Sequence, residues 1–255
     1  GASSGCFVPG LQKAAANPCA ANPCEANPCA ASCKANPCAA SCKANPCAAN
    51  PCAANPCAAN PCAANPCAAN PCAAAAAPPD LTEDQLKTLY SCLINTLTEA
   101  SADAGSDLQK AGWLASDLPS AQDFMEWTNF ARVPYISFTH AERFAVNFAN
   151  DIAAEQYGKF EEIEAIPVGG ILAKPTFSVS DTGEARLQSL FFMEKAAAGS
   201  MPDTNDWIYS AVLADGSLMG RTGGKNSDGM QFCSACHQGA GYGQDDLAFL
   251  PEEYR

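Results

Sequence analysis

The chain has 255 residues, with 14 Lys and Arg against 27 Asp and Glu, a formal net charge of −13 and an isoelectric point near 4.4. So acidic a surface repels nucleic acid and anionic membranes, leaving small ligands and basic proteins as partners. Sixteen cysteines are too many for an ordinary cytosolic enzyme and point to an oxidising compartment or to metal loading.

Gly1-Ala2-Ser3-Ser4 has neither a basic start nor an apolar stretch behind it. The chain therefore reads as an exported protein, periplasmic or extracellular, with its signal peptide already removed. The expected segments are an N-terminal stretch 1–16, a Cys-rich repeat arm 17–79, a helical lead-in 80–133 and a globular domain 134–255. In the arm, Asn-Pro-Cys recurs ten times from Asn17-Pro18-Cys19 to Asn70-Pro71-Cys72, with Ser32-Cys33-Lys34 and Ser41-Cys42-Lys43 as shorter units. Proline fixes φ and drives the preceding Asn out of the helical region, so each unit predicts a turn. Little beyond Ala and Cys is there to bury, so any order must come from cysteine chemistry. Disulfides closing Cys-x4-Cys loops are the first reading, a thiolate array for Cu(I) or Zn(II) the second, and a flexible spacer the third. The uncharged run from Ala44 to Pro79 is not a membrane span, because the recurring Asn-Pro would break a helix in lipid.

After the repeat, Asp80-Leu81-Thr82 opens a helix in which Thr82 and Gln85 have capping-box spacing. Leu86, Leu89, Tyr90, Leu93 and Leu97 follow at helical intervals and predict one docked face. Cys92, beside that face, reads as a small buried residue ahead of a disulfide partner for Cys6. A second helical stretch is expected from Asp107 to Phe130, broken near Pro119. Arg143 to Ala149, Val168 to Phe177, Gln188 to Lys195 and Trp207 to Ala214 predict strands, and Ile152 to Lys159 a short helix. Short strands with helices before and after predict an α+β domain built on an antiparallel sheet.

Cys233-Ser234-Ala235-Cys236-His237 is the strongest chemical signal. A covalent haem c needs two thiols spaced to reach its two vinyl groups and a histidine immediately after, to bring an imidazole beneath the iron. A thioredoxin-like pair would need a βαβ setting, and a zinc site a second cysteine pair nearby; neither accompanies this motif outside the repeat. One covalent haem c is therefore expected, with His237 as the iron's metal ligand. His140 is the only other histidine. If it also binds, the iron is closed and the protein carries electrons; if it does not, the sixth position is open to ligands. Met193 and Met230 are the remaining candidates for that position, although an interior methionine usually packs as core.

From Pro134 to the C-terminus the chain resembles the cytochrome P-460 family, monohaem c-type cytochromes related to the beta form of cytochrome c-prime. The resemblance is carried by Pro134-Tyr135, Thr139-His140-Ala141-Glu142-Arg143, Pro167-Val168-Gly169-Gly170-Ile171-Leu172-Ala173-Lys174, Phe192-Met193-Glu194-Lys195, Asp206-Trp207-Ile208-Tyr209 and the cysteine motif. It implies a mostly antiparallel sheet with flanking helices, a five-coordinate haem and often a homodimer. Hydroxylamine-oxidising members also join a lysine to the porphyrin rim, and the matching position is Lys174. Pro175 follows it where an acidic residue is common in the family, and members that only bind nitric oxide share the fold.

Arg143 matches a family arginine and reads as a contact to a haem propionate, or else as a surface salt bridge to Glu142 or Glu194. Proton removal from a bound amine needs a base over the open iron face, for which Asp228 and Glu194 are the candidates. Phe144, Phe148, Phe191 and Phe192 are candidates to line the distal pocket, with Phe191 and Phe192, adjacent on a strand, unable to face the haem together. The expected function is an oxidoreductase acting on hydroxylamine or nitric oxide and passing electrons to a redox partner protein. The alternatives are an electron-transfer or structural subunit assembled through the repeat arm, and copper or zinc binding by the repeat.

Overall fold

In the computed structural model, which describes residues 4–8, 78–104, 112–241 and 243–255, the capping box at Thr82 is formed. The Thr82 backbone N–H donates to Gln85 Oε1 at 2.9 Å, and the Gln85 N–H donates to Thr82 Oγ1 at 3.3 Å. Helix α1 (Glu83–Ala104) follows. Leu86, Leu89, Leu93 and Leu97 are all buried along it, each contributing about 1.5–3 kcal/mol through burial. Cys92 proves to be more than a small core residue: it is disulfide-bonded to Cys6 across 86 residues. The bridge ties the N-terminal segment to α1, and in the chain-entropy picture a loop that long contributes roughly 4 kcal/mol. The repeat cysteines from Cys19 to Cys72, and every reading of the arm with them, lie outside the described residues.

The chain divides into two units, one made of 1–9, 81–179 and 183–255 and the other of 10–80 and 180–182. In the second, the described residues 180–182 form a short turn in which the Ser180 and Thr182 hydroxyls are hydrogen-bonded at 2.8 Å. The first unit holds everything that follows.

The helical stretch predicted over Asp107 to Phe130 is interrupted at Pro119, as expected. Its described part is a 3-10 turn (Gly112–Ala115), a short helix α2 (Pro119–Asp123), a second 3-10 turn (Phe124–Glu126) and a strand β1 (Thr128–Asn129). Proline is the physical reason. The residue before it, Leu118, is pushed to an extended φ of −78° and ψ of 114°, and Pro119 starts a new helix where its missing N–H costs nothing.

The remaining strands are β2 (Tyr135–Ser137), β3 (Arg143–Ala145), β4 (Phe148–Ala149), β5 (Ile171–Val179), β6 (Ala185–Lys195), β7 (Trp207–Val212) and β8 (Leu218–Arg221). Together with β1 they make one antiparallel sheet in the order β1-β4-β5-β6-β7-β8, with β3 pairing both β2 and β5. The strand expected over Arg143 to Ala149 is split into β3 and β4. Asn147, in the gap between them, turns its amide inward, accepting from Tyr135 Oη at 2.7 Å and donating to Tyr157 Oη at 2.9 Å. Strand β5 starts at Ile171 rather than Val168, because Gly169, at φ +85°, makes the turn that precedes it. Pro175 sits inside β5 beside an irregularity in the pairing with β6, as expected of a residue without an N–H for the ladder.

Helix α3 (Asp151–Tyr157) is capped by Asn150, whose Oδ1 accepts from the backbone N–H of Ala153 at 3.1 Å and of Ile171 at 3.0 Å. One side chain thus fixes both the helix start and the entry to β5. Two clusters of buried residues among those described bear on the site. Trp113, Phe124, Phe148, Leu190, Phe192 and Val212 belong to one, and Tyr157, Leu172, Met193, Trp207, Tyr209 and Leu247 to the other. Phe192 and Met193 are neighbours on β6 yet enter different clusters, as the alternation of a strand requires. Helix α4 (Ser227–Ala240) packs on β7 and β8 and carries the cysteine motif. Among the described residues, no helix is long and apolar enough to cross a membrane.

Candidate functional site

Helix α4 contains Gly229, Gly239 and several Ser and Cys residues, all indifferent or poor helix formers. It is held by packing: Met230 and Ser234 are buried on its inner face. Cys233, Cys236 and His237 stand at positions i, i+3 and i+4, which share one side of a helix. Both cysteines are free, Cys233 half-buried and Cys236 exposed. Burial pushes the Cys233 thiol up, so it stays protonated.

The ring of His237 is oriented from behind. Its Nδ1 lies 3.0 Å from the backbone carbonyl of Asp246, so Nδ1 carries the proton and Nε2 keeps its lone pair. The segment supplying that carbonyl is strained and anchored. Asp245 and Asp246 have φ of 52° and 60°, a region that costs most residues about 1–2 kcal/mol. Asp245 Oδ1 accepts from Lys195 Nζ at 2.6 Å and its Oδ2 from the Ile166 N–H at 2.8 Å, while its carbonyl accepts from Trp207 Nε1 at 2.9 Å. Asp246 Oδ2 accepts from Asn205 Nδ2 at 2.9 Å.

Gly241, just past α4, permits the approach: a Cβ there would stand 2.2 Å from the Asp246 carbonyl carbon. Gly241→Ala is therefore expected to push the segment off His237 and to lower stability by about 1–3 kcal/mol. Thermal unfolding, together with the NMR signal of the His237 Nδ1 proton, checks both parts.

His237 opens on a cavity of about 50 Å³ whose lining includes His140, Lys174, Phe191, Met193 and Leu247. Burial pushes the Lys174 ammonium down to about 8, and its Nζ lies 5.8 Å from the centre of the Tyr135 ring. His140 closes the 3-10 turn Phe138–His140 between β2 and β3. Its Nδ1 lies 2.9 Å from Ser137 Oγ and 3.1 Å from Thr139 Oγ1, and its ring packs on Phe191 at 5.1 Å between centres. Burial pushes His140 down to about 3, helped by the charges of Lys174, His237 and Arg143. Burial also holds His237 below its usual range, so both imidazoles are neutral, the form that binds metals. Their ring centres are 6.4 Å apart.

Tyr209 is buried with its ring centre 5.5 Å from that of His237. Its hydroxyl is buried and has no hydrogen-bond partner among the described residues.

The other residues singled out in the sequence are placed less uniformly. Arg143, at the start of β3, is half-buried, and among the described residues it has no ion-pair partner; burial lowers its pKa. The salt bridge from Arg143 to Glu194 is not formed, because Glu194 pairs with Arg221 at 2.7 Å. Asp228 is exposed in the first turn of α4. Neither carboxylate lines the cavity. Phe144 stacks on Phe177 and Phe148 packs edge-on against Phe124, both as core. Phe191 and Phe192 both border the cavity, but their rings diverge, Phe191 onto His140 and Phe192 onto Phe124 and Trp127. Met193 lines the cavity, while Met230 packs under Gly220. The Asp246 carbonyl escapes any reading of side chains; the only trace of it in the sequence is Gly241 closing the helix with Asp245-Asp246 four residues on.

The site does not look like a zinc centre. Among the described residues, no group of three or more His, Cys, Asp or Glu side chains converges, whereas a structural zinc needs four ligands. A comparison with curated protein sequences gives no significant match. The model of the cytochrome P-460 family matches residues 122–249, from α2 through the sheet, α4 and the Asp245-Asp246 segment, half of the chain. The chain belongs to the cytochrome P-460 family of haem proteins.

Proposed function

We propose that this protein is an exported c-type cytochrome with one covalent haem, acting as an oxidoreductase on hydroxylamine or nitric oxide. The observation that carries the reading is the arrangement on α4: two free thiols and, on the same side, an imidazole whose Nδ1 is tied to the Asp246 carbonyl. The residues present fit the group. Cys233 and Cys236 would hold the porphyrin as thioethers, His237 Nε2 the iron, and the unpaired guanidinium of Arg143 a propionate. The buried Tyr209 hydroxyl has no hydrogen-bond partner among the described residues, the condition expected where a bound group completes the site. When bound, the haem supplies an iron that takes a small nitrogenous ligand and exchanges electrons with a partner protein.

The chain's own contributions follow from the cavity. Phe191, Met193 and Leu247 give it an apolar wall. Asp228 and Glu194 lie off it, so proton acceptance falls to lining groups, of which Lys174 is the most basic. Lys174 is also the position for a link to the porphyrin rim. Its lowered basicity leaves part of the amine neutral near pH 7, as bond formation requires. A surface charge of −13 suits a basic redox partner, and a homodimer or an assembly through the repeat arm completes the proposal.

The test is Lys174→Ala in protein that retains its haem. Hydroxylamine-dependent reduction of an electron acceptor is expected to fall by at least ~10-fold. Unchanged turnover would reject the role of Lys174, and failure of the wild-type protein to bind nitric oxide or turn over hydroxylamine would reject the ligand class. The second reading, an electron carrier in which His140 and His237 would both hold the iron, is favoured by their ring centres lying 6.4 Å apart.

A further inference from the structure

Asn147 stands at the centre of a hydrogen-bond chain that runs in one direction. Tyr135 Oη donates to its Oδ1 at 2.7 Å, and its Nδ2 donates to Tyr157 Oη at 2.9 Å. The Tyr157 oxygen is therefore an acceptor within the chain, and among the described residues nothing accepts the proton it carries. All three side chains are buried, where a donor left without an acceptor is costly unless a bound molecule supplies one. Asn147 and Tyr157 both border the cavity on which His237 opens.

Resting on the haem reading above, we propose that Tyr157 donates a hydrogen bond to the oxygen atom of the small nitrogenous ligand held in the cavity, with Asn147 and Tyr135 as the residues that position it. When the nitrogen of hydroxylamine or nitric oxide is held by a metal, the oxygen is the atom left for the protein to recognise. A neutral phenol suits it. Burial pushes the Tyr157 hydroxyl up to about 12, so it keeps its proton at neutral pH and acts as a donor. The two donors behind it polarise it further, since each hydrogen bond in a chain strengthens the next. The phenol is also fixed in place before any ligand arrives. Tyr157 ends α3, whose start is capped by Asn150, and its ring packs edge-on against Phe130 at 5.0 Å and against Phe249 at 5.4 Å between centres. A donor held in this way is not reorganised when charge develops on the atom it faces. Tyr157 thus selects ligands that carry an acceptor beside the metal-bound atom, and the apolar wall of Phe191, Met193 and Leu247 offers them no competing partner.

The experiment uses the full chain with its haem, attachment being verified by mass. Carbon monoxide on the reduced protein is the first probe, because its infrared stretching frequency falls when a donor faces its oxygen. Hydroxylamine is the second, titrated by absorption into the oxidised protein with no electron acceptor present. For Tyr157→Phe, which removes one oxygen atom and keeps the ring, the carbon monoxide stretch is expected to rise and hydroxylamine binding to weaken by about 5-fold. Tyr135→Phe, which leaves Tyr157 and Asn147 in place, is expected to move the stretch in the same direction by less. An unmoved stretch in Tyr157→Phe would overturn the proposal, whatever the affinity. If that variant fails to load haem, Tyr135→Phe decides: a raised stretch supports the chain and an unmoved one overturns it. A wild type with no attached haem, or one that takes neither probe, would overturn the functional reading and this one with it, whereas a wild type that binds both and matches Tyr157→Phe overturns this one only.

Discussion

Replacing Cys233 and Cys236 together by Ala is expected to leave the purified chain with no covalently attached haem, while either single replacement keeps one tether. The reasoning is local. Both thiols are free, on the side of α4 that also bears His237, and Cys236 is exposed, so neither contributes much to the core and the fold should survive their loss. On the proposed reading, what they supply is attachment. Without them a porphyrin is held only by the His237 bond and its pocket contacts, and a denaturant strips it. Haem staining after denaturing electrophoresis reads the difference: a stained band for the wild type, none for the double variant. A stained double variant would show that the link is made elsewhere, with Lys174 the first place to look.

Asp245→Ala is expected to be strongly destabilising. It removes the partner of Lys195, in a pair whose side chains are only 14% and 11% exposed, and leaves the Ile166 N–H without its acceptor. Breaking a buried pair by deleting one member costs about 3–5 kcal/mol. Lys195 also lies over the Trp207 ring at 4.6 Å, a contact that softens the loss and puts the expected value near the lower end. A second effect comes through the backbone. With its anchor gone, the left-handed Asp245-Asp246 pair relaxes and its carbonyl leaves His237 Nδ1. Lys195→Met in the same chain should recover part of the stability but not the hydrogen bond, since the uncompensated ammonium is gone while the segment remains untied. Denaturant midpoints of the full chain measure the first effect and the His237 Nδ1 proton signal the second. A stability change below about 0.5 kcal/mol would show that the segment is not held as described.

Much of the sheet was legible in the sequence. The β-branched and aromatic runs that became β5, β6 and β7 are long enough to alternate, and the leucines of α1 repeat at helical spacing behind a capping box that forms as expected. Strands β1, β2 and β8 are two to four residues long, too short for any period to show. The 112–129 stretch carries apolar residues at helical intervals, but Pro119 overrides them. The Cys6–Cys92 bridge joins residues 86 apart, a pairing that only the packed N-terminal segment reveals.

At the site, Cys233, Cys236 and His237 stand out in the sequence because their residue types and spacing suit one chemistry, whereas Lys174 is singled out only by the family resemblance. The orientation of His237 was not legible, because a main-chain carbonyl has no signature in the sequence. Nor was the closeness of His140 to His237, which depends on the turn after β2 bringing His140 against Phe191 of β6. Asp228 and Glu194 illustrate the converse: side chains suitable by type, but turned to solvent and to Arg221 in space.

Intact-mass spectrometry of the full chain, purified without reductant from a host able to attach haem, is the most direct measurement. The expected mass is the polypeptide plus a single haem, with Cys233 and Cys236 both blocked in the peptide map. A mass equal to the polypeptide alone, with both thiols free to react, would contradict it.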